Sequence, residues 1–189
     1  MKKYIEENFE TIKQDFENLK SQANSIEKVT QILIKTFQKG NKVLFCGNGG
    51  SASDCEHMSA ELVGKFKAKK NLLSAISVCS NTSILTSISN DFDYSEIFST
   101  QIEALGKKED VLFAISTSAK SKNIVKALKK AKEKGLITIG LFGQNDNDCE
   151  GLCDYKINAP SKSTPNIQQM HLAIEHLICE IIENKTSQK

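Results

Sequence analysis

The chain has 189 residues, of which 39% are hydrophobic and 25% are charged, and its formal net charge is +2. This length favours a single globular domain, and the small charge argues against a nucleic-acid-binding protein, which usually carries a strong basic excess. The six cysteines form no C-x-x-C pair, which predicts that they are reduced. The sequence shows neither a signal-peptide pattern nor an apolar run of the roughly 20 residues that span a bilayer. We therefore expect a cytoplasmic protein without a membrane partner.

The first 40 residues predict a pair of amphipathic helices. Apolar residues recur at helical spacing, at Ile5, Phe9, Ile12, Phe16 and Leu19 and then at Ile26, Val29, Ile32, Leu33 and Phe37. These stripes are suited either to cover a sheet or to pack against another subunit. We expect one domain over residues 1–189, in which residues 1–40 form a helical pair used in oligomerisation.

From residue 43 onward, short apolar segments alternate with helical patterns. Strands are predicted at 43–46, 73–78, 111–115, 137–142 and 155–157, and helices at 51–62, 82–89, 94–105, 124–134 and from 165 onward. The lysine-rich stretch 65–70 is predicted to be a solvated connection. This alternation implies a parallel sheet with helices on both faces, and such sheets bind ligands outside the carboxyl ends of their strands.

The segment after the first strand reads Gly47-Asn48-Gly49-Gly50 and leads into a helix. Glycines allow positive φ and close approach to the backbone, and a helix N-terminus presents free N–H groups, so the segment suits a phosphate. The acid that a dinucleotide site needs about 20 residues later is absent, and no Gly-Lys-Ser/Thr follows the glycines. A sugar phosphate is therefore favoured over a nucleotide. Ser51, Ser53 and Asp54 are predicted to supply the oxygens that start the helix.

Hydroxyl groups cluster after the third strand, at Ser116, Thr117, Ser118 and Ser121. Hydroxyls and N-terminal amides saturate a phosphate dianion without a buried cation. Ordinary N-capping is the competing explanation, but it needs only one hydroxyl. Because this loop and the glycine loop both stand at carboxyl ends of strands, they predict one anion site.

Titratable side chains follow on two helices. His57 and Glu61 are four residues apart and share a helix face. The last helix offers four further candidates, which are Gln168, His171, Glu175 and His176. Spacing alone does not choose between the pair 168/176 and the pair 171/175. Histidine, carboxylate and amide groups are acceptable zinc ligands, whereas an ordinary polar helix face explains each residue singly.

Together these motifs resemble the sedoheptulose-7-phosphate isomerases, a family of sugar-isomerase (SIS) domain enzymes. The matching segments are 47–52, His57-x-x-x-Glu61, Asn90-Asp91, 116–118 and Gln168 with His176, in the family's order over nearly the whole chain. The resemblance implies a single SIS domain with three α/β/α layers, a five-stranded parallel sheet of flavodoxin-like order and two extra N-terminal helices.

The resemblance also implies an activity. The family converts D-sedoheptulose 7-phosphate to D-glycero-D-manno-heptose 7-phosphate, the first step of activated heptose synthesis for bacterial surface polysaccharide, such as lipopolysaccharide or capsule. A non-catalytic SIS module that senses a sugar phosphate or docks onto a partner is the alternative. Such a module has no need of the His/Glu/Gln/His set, so the set favours the enzyme.

By the same resemblance, each site residue receives a role. The phosphate and nearby hydroxyls are assigned to Ser51, Ser116, Thr117, Ser118 and Ser121. The other substrate-binding positions are Asn48, Gly49, Gly50, Glu61, Asn90, Asp91 and Gln168. One zinc ion per subunit is assigned to His57, Glu61, Gln168 and His176, since the family register selects His176 over His171. Glu61 is expected to be the base, and His176 the acid/base that serves the oxygens.

Three positions depart from the family pattern. Ala119-Lys120 replaces Gly-Asn, Lys65 replaces a frequent Arg, and Gln169 replaces a frequent Glu. The first change is expected to tighten the phosphate loop. The second is expected to remove a bidentate contact, because a lysine binds phosphate as a point charge.

Helix geometry predicts an active site that subunits share. Gln168 and His176 lie about 12 Å apart along a straight helix and point about 80° apart. Because zinc–ligand distances are only about 2 Å, the simplest arrangement takes one of the two from a neighbouring copy. The resemblance suggests a homotetramer.

Overall fold

The computed structural model describes residues 1–64 and 72–186 and centres on a sheet of five parallel strands. The strands are β1 (Val43–Gly47), β2 (Ala75–Ser77), β3 (Val111–Ser116), β4 (Ile137–Phe142) and β5 (Tyr155–Asn158). Their order, β2-β1-β3-β4-β5, confirms the predicted flavodoxin-like topology. Every residue of β1 and β3 is buried, which explains why both strands read as unbroken apolar runs.

Helices cover both faces of the sheet. Within the described ranges they are α1 (Lys2–Leu19), α2 (Ala23–Gln38), α3 (Gly50–Val63), α4 (Thr82–Asp91), α5 (Ser99–Leu105), α6 (Lys122–Glu133) and α7 (Thr164–Thr186). Helices α2, α3 and α7 pack together on one face, and α5 and α6 pack together on the other. Across the residues that the structure describes, no helix combines the length and apolar character that crossing a membrane requires.

The register of β1 against β3 brings the two predicted anion loops to one level. Gly47 pairs with Ile115, so the loops that follow these strands leave the sheet side by side. At the other end, the Asp110 carboxylate accepts a hydrogen bond from the Lys42 backbone N–H at 3.0 Å and forms an ion pair with the Lys42 ammonium. This largely buried pair fixes where both strands begin.

Two predicted helices differ from the structure. The helix predicted at 94–105 divides into a 3-10 turn, Tyr94–Glu96, and α5. The Asp93 carboxylate accepts from the Ser95 N–H at 2.8 Å and starts the tight turn, and the linking Ile97 and Phe98 both turn into the core. The start of α3 was also predicted wrongly. It begins at Gly50 behind a Gly49 cap, so the side chains expected to start it lie inside the helix.

The predicted N-terminal pair is present, but its two helices have different surroundings. Helix α2 buries Ile26, Val29 and Leu33 against the rest of the chain. Helix α1 has no buried residue, and Tyr4 and Phe9 on it are 70% and 66% exposed. The apolar stripe of α1 is therefore largely uncovered within one chain at Ile5 and Phe9, whereas Leu19 at its end packs against the core. The lysine-rich stretch 65–70, with Lys65, lies outside the described residues.

Candidate active site

The loop after β1 is shaped by close packing. Gly49 has a φ of 57°, in the left-handed region that favours glycine, and it caps α3 without a side-chain hydrogen bond. A Cβ atom at Gly47 would lie 2.5 Å from the Ser51 carbonyl oxygen, and one at Gly50 would lie 2.3 Å from Nε2 of Gln168. Gln168 therefore rests on the first turn of α3, beside the glycine loop.

The loop after β3 uses some of its hydroxyls to hold its own shape. Ser116 Oγ accepts a hydrogen bond from the Ala119 N–H at 3.0 Å, and Ser118 Oγ accepts one from the Lys120 N–H at 3.3 Å. Ser121 stands at the N-cap of α6, yet its side chain makes no capping hydrogen bond. Capping therefore does not account for the hydroxyl cluster, and the Ser121 hydroxyl remains available to a ligand.

Ala119 gives this loop its strain. Its φ of 51° lies in the left-handed region, and its side chain is fully buried. A residue with a Cβ pays about 1 kcal/mol for this conformation, which glycine adopts freely. The chain keeps the turn that the family's glycine would make, and the surrounding contacts hold it.

Asn48 ties the glycine loop to α6. It exchanges two hydrogen bonds with Asn123, at 2.9 and 2.8 Å, and its Oδ1 also accepts one from the Tyr94 hydroxyl at 3.1 Å. The sequence motifs nominate neither partner. The available signal was an asparagine at a helix position that turns out to be buried.

Asn90 and Asp91 lie at the exposed end of α4. The Asn90 Nδ2 donates to the Asp91 Oδ1 at 2.9 Å. Among the described hydrogen bonds, none joins either residue to the glycine loop or the hydroxyl loop. Within one chain, the structure thus brings Asn48 to the site but does not link this pair to it.

His57, Glu61 and His176 converge on one point. His57 Nε2 lies 3.0 Å from Glu61 Oε1 and 3.0 Å from His176 Nε2, and His176 Nε2 lies 3.6 Å from Glu61 Oε1. Helix α3 supplies the first two residues one turn apart, and α7, which packs against α3, supplies the third. Each residue offers one ligand atom, and the three atoms lie within 4.8 Å of one another.

The separations in this cluster suit a metal ion. Ligand atoms of a tetrahedral zinc site with bonds of about 2.0–2.1 Å lie about 3.3 Å from one another. The three observed separations, 3.0, 3.0 and 3.6 Å, bracket this value. Two imidazoles with one carboxylate also form a ligand set of catalytic zinc, which leaves a coordination position open.

Helix α7 places its candidates in different surroundings. His171 is fully buried, its Nε2 donates to the Phe142 carbonyl oxygen at 2.9 Å, and burial lowers its pKa to about 4. Gln168 lies against Gly50, about 12 Å along the helix from His176, so it does not join the cluster of its own chain. The sequence predicted that either Gln168 or His176 would come from a neighbouring copy. Within one chain, it is His176 that contacts His57 and Glu61.

Two further carboxyl groups lie behind the cluster. Glu175 is fully buried, and its two oxygens have no hydrogen-bond partner among the residues that the structure describes. Burial, followed by the nearby Asp54 and Glu61, raises its pKa to about 9. Burial also raises the pKa of Asp54. Glu175 is therefore neutral at physiological pH and adds no negative charge beside Glu61.

A five-stranded parallel sheet with a glycine-rich loop and a hydroxyl-rich loop at its strand ends is typical of the SIS-domain class of α/β proteins, and the SIS-domain family model matches residues 6–143. The phosphoheptose isomerase of Clostridium acetobutylicum is 47% identical over 85% of this chain and 82% of its own length. That of Synechocystis sp. is 44% identical over 98% of this chain and 94% of its own.

A solved structure agrees with these sequence relatives. The phosphoheptose isomerase of Neisseria gonorrhoeae superposes with a TM-score of 0.91 at 30% identity, covering 97% of this chain and 98% of the other. The chain belongs to the phosphoheptose isomerase family. Both the family and the fold that the motifs predicted are thereby confirmed.

Proposed function

We propose that the protein is an aldose–ketose isomerase that converts D-sedoheptulose 7-phosphate to D-glycero-D-manno-heptose 7-phosphate, the first step towards the activated heptose of bacterial surface polysaccharide. The convergence of the His57, Glu61 and His176 side chains on one point carries the proposal. A non-catalytic sugar-phosphate sensor has no use for this cluster. Relatives at 41–47% identity are named phosphoheptose isomerase, which supports the same reaction.

The reaction moves a proton between two neighbouring carbons of the sugar. Glu61, whose side chain is only 12% exposed, is the proposed base that takes the proton beside the carbonyl and returns it to the next carbon. His176, which is 42% exposed, is the proposed acid/base that protonates the carbonyl oxygen and deprotonates the neighbouring hydroxyl. Groups in these roles contribute about 10²–10⁴-fold each.

We propose His57, Glu61 and His176 as ligands of one zinc ion per subunit. When bound, zinc would act as a Lewis acid that stabilises the negative charge developing on the substrate oxygen. Glu61 then serves in turn as ligand and as base, and His176 in turn as ligand and as acid/base. Gln168 belongs with the substrate-binding residues of its own chain, and as a metal ligand it would come from a neighbouring copy.

We propose that the phosphate binds to Ser51, Ser116, Thr117, Ser118 and Ser121. We propose that the sugar binds to Asn48, Gly49, Gly50, Asn90, Asp91 and Gln168. The unused Ser121 hydroxyl and the contact of Gln168 with the glycine loop support this placement.

We further propose a homotetramer that acts in the cytoplasm and assembles through residues 1–40. The exposed apolar side chains of α1 support this assembly.

Turnover of sedoheptulose 7-phosphate by the purified protein tests the reaction directly. The protein should produce the aldose, a chelator should abolish turnover, and added zinc should restore it. Glu61→Gln should be inactive, whereas Glu56→Gln, which changes an exposed carboxylate on the same helix, should retain full activity. A folded, zinc-loaded protein that leaves this ketose unchanged would refute the proposal.

A further inference from the structure

A recess lies on the β4 side of the hydroxyl loop, and its lining does not include His57, Glu61 or His176. Its volume is about 280 Å³, and Thr117 and Ser118 of the hydroxyl loop form part of its wall. Lys120 lines it from the end of the same loop, and Lys162 lines it from the segment that precedes α7. Since a water molecule occupies about 30 Å³, the recess has room for a phosphate group and several waters.

The described residues that line this recess carry positive charge only. Apart from the two lysines, their polar groups are amides and hydroxyls, and none of these lining residues is a carboxylate. All 25 basic residues other than histidine are lysines, because the chain contains no arginine. A guanidinium therefore cannot serve the phosphate from within this sequence, and any full positive charge must come from a lysine or a histidine.

The two lysines of the recess differ from Lys126 and Lys130 on α6, which form ion pairs. Lys126 pairs with Glu96, and Lys130 pairs with Glu133 at 2.8 Å. Within the part of the chain that the structure describes, neither Lys120 nor Lys162 forms an ion pair. Neither charge is therefore held in an ion pair, although Lys120 also borders an adjacent recess that Asp93 and Asp148 line.

The loops that build the recess are held together by direct contacts. Asn147 Nδ2 donates to the Ser118 carbonyl oxygen at 2.9 Å, which joins the loop after β4 to the hydroxyl loop. A Cβ atom at Gly143 would lie 2.3 Å from the Thr117 carbonyl oxygen, so these backbones are in close contact. The strained turn at Ala119 immediately precedes Lys120. The wall is therefore a defined part of the fold.

We propose that Lys120 and Lys162 are phosphate-binding residues, which bring positive charge to the phosphate group that the hydroxyl loop holds. Lys120 stands where the family usually has asparagine, so this chain adds a cation to a cradle otherwise made of hydroxyls and amides. The identity of the sugar rests on the proposed function, whereas the binding of a phosphate group does not.

Inorganic phosphate is the first probe, measured by calorimetry on Lys120→Asn, Lys162→Gln and the double variant. Each single substitution should raise the dissociation constant about threefold to tenfold, since a partly exposed charge pair is weak. The salt dependence of binding should also become shallower. Lys129→Gln is the matched control, because Lys129 lies on α6 and lines the neighbouring recess but not this one.

The sugar phosphate is the second probe. KM should rise by a similar factor while kcat stays unchanged, because the lysines bind a group remote from the reacting carbons. A double variant whose phosphate affinity and KM stay within twofold of wild type would overturn the proposal. So would phosphate inhibition that is not competitive with the sugar phosphate. The protein could bind phosphate through these lysines and yet not turn over the ketose. That result would refute the proposed function but would still support the phosphate-binding role of Lys120 and Lys162.

Discussion

The Nε2 atoms of His57 and His176 lie 3.0 Å apart although 119 residues separate the two histidines in the chain. Helix α3 carries one ring and α7 the other, so the packing of these two helices sets the distance. The two nitrogens are at hydrogen-bonding distance from each other, and together with Glu61 Oε1 they form a group that could hold one metal ion.

Zinc should therefore stabilise the protein through this cluster. At a free zinc concentration of 100 times the dissociation constant, binding adds about 2.7 kcal/mol to the free energy of unfolding. His57→Gln and His176→Gln should lose most of this gain, and Glu56→Gln should keep it. Metal content after dialysis and the Tm with and without zinc check the expectation. Equal zinc content in His176→Gln and wild type would contradict it.

Subunit mixing separates the contributions of one chain from those of its neighbours. Because Glu61 and His176 meet within one chain, mixing Glu61→Gln with His176→Gln should restore no activity. Mixing Glu61→Gln with Gln168→Ala should restore part of it if a neighbour supplies Gln168. Exchange is verified with differently tagged subunits. Recovery in the first mixture would show that the functional cluster is not the one within a single chain.

Ser121 and Asn81 occupy equivalent N-cap positions but should respond differently to alanine. The Asn81 side chain accepts a hydrogen bond from the Ile84 N–H at 3.1 Å, so Asn81→Ala should cost about 1 kcal/mol of unfolding free energy. Ser121 makes no such bond, so Ser121→Ala should leave stability nearly unchanged and raise KM. Denaturant unfolding and steady-state kinetics measure both effects. A stability loss without a KM change at Ser121 would make it an ordinary cap.

The contact between Gly50 and Gln168 is testable with a double-mutant cycle. Gly50→Ala places a methyl group where Gln168 Nε2 now lies, so the amide must move and KM should rise. In a Gln168→Ala background the same methyl group meets no obstacle, and alanine should stabilise the helix by up to about 1 kcal/mol. The coupling between the two sites should therefore be about 1 kcal/mol or more. Additive effects would mean that the contact is not formed.

His171 should make stability depend on pH in the acid range. Its folded pKa is about 4, so below the unfolded value of about 6.5 the unfolded chain gains a proton that the folded chain does not. The free energy of unfolding should then fall as the pH drops from about 6.5 to 4, by about 2 kcal/mol at pH 5 from this group. His171→Gln keeps a donor for the Phe142 carbonyl and should remove this contribution. Urea unfolding of both proteins at pH 7 and pH 5 measures the difference.

Apolar runs were sufficient to locate β1, β3 and β4, because strands buried on both faces carry unbroken apolar runs. Strand β2 covers only Ala75–Ser77 of the predicted 73–78 and is partly exposed. Strand β4 has the predicted bounds, 137–142. The start of α3 was not predictable in the same way, since Gly49 caps it through backbone conformation and offers no side-chain signal. The division near Ile97 and Phe98 depends on both side chains reaching the core, which a helical pattern does not reveal.

The site shows the same division between local and tertiary information. His57 and Glu61 share a face by spacing alone, and so they could be paired from the sequence. His171 and His176 point about 140° apart, but which of them faces α3 depends on how α7 is rotated against the sheet. That rotation is set by packing, and only the family register indicated it beforehand. Asn123 and Tyr94 belong to no recognisable sequence motif, because they contribute by hydrogen bonding to the Asn48 side chain, a contact that only the tertiary structure shows.

The distance in sequence between the cluster's two histidines has a consequence for synthesis of the chain on the ribosome. His57 and Glu61 emerge early, but His176 lies on α7, so a nascent chain offers only a two-residue chelate until that helix has been made. The two anion loops likewise come together only after Lys42 and Asp110, 68 residues apart, have joined β1 to β3. The ligand set of the proposed zinc site is thus complete only after translation has passed α7.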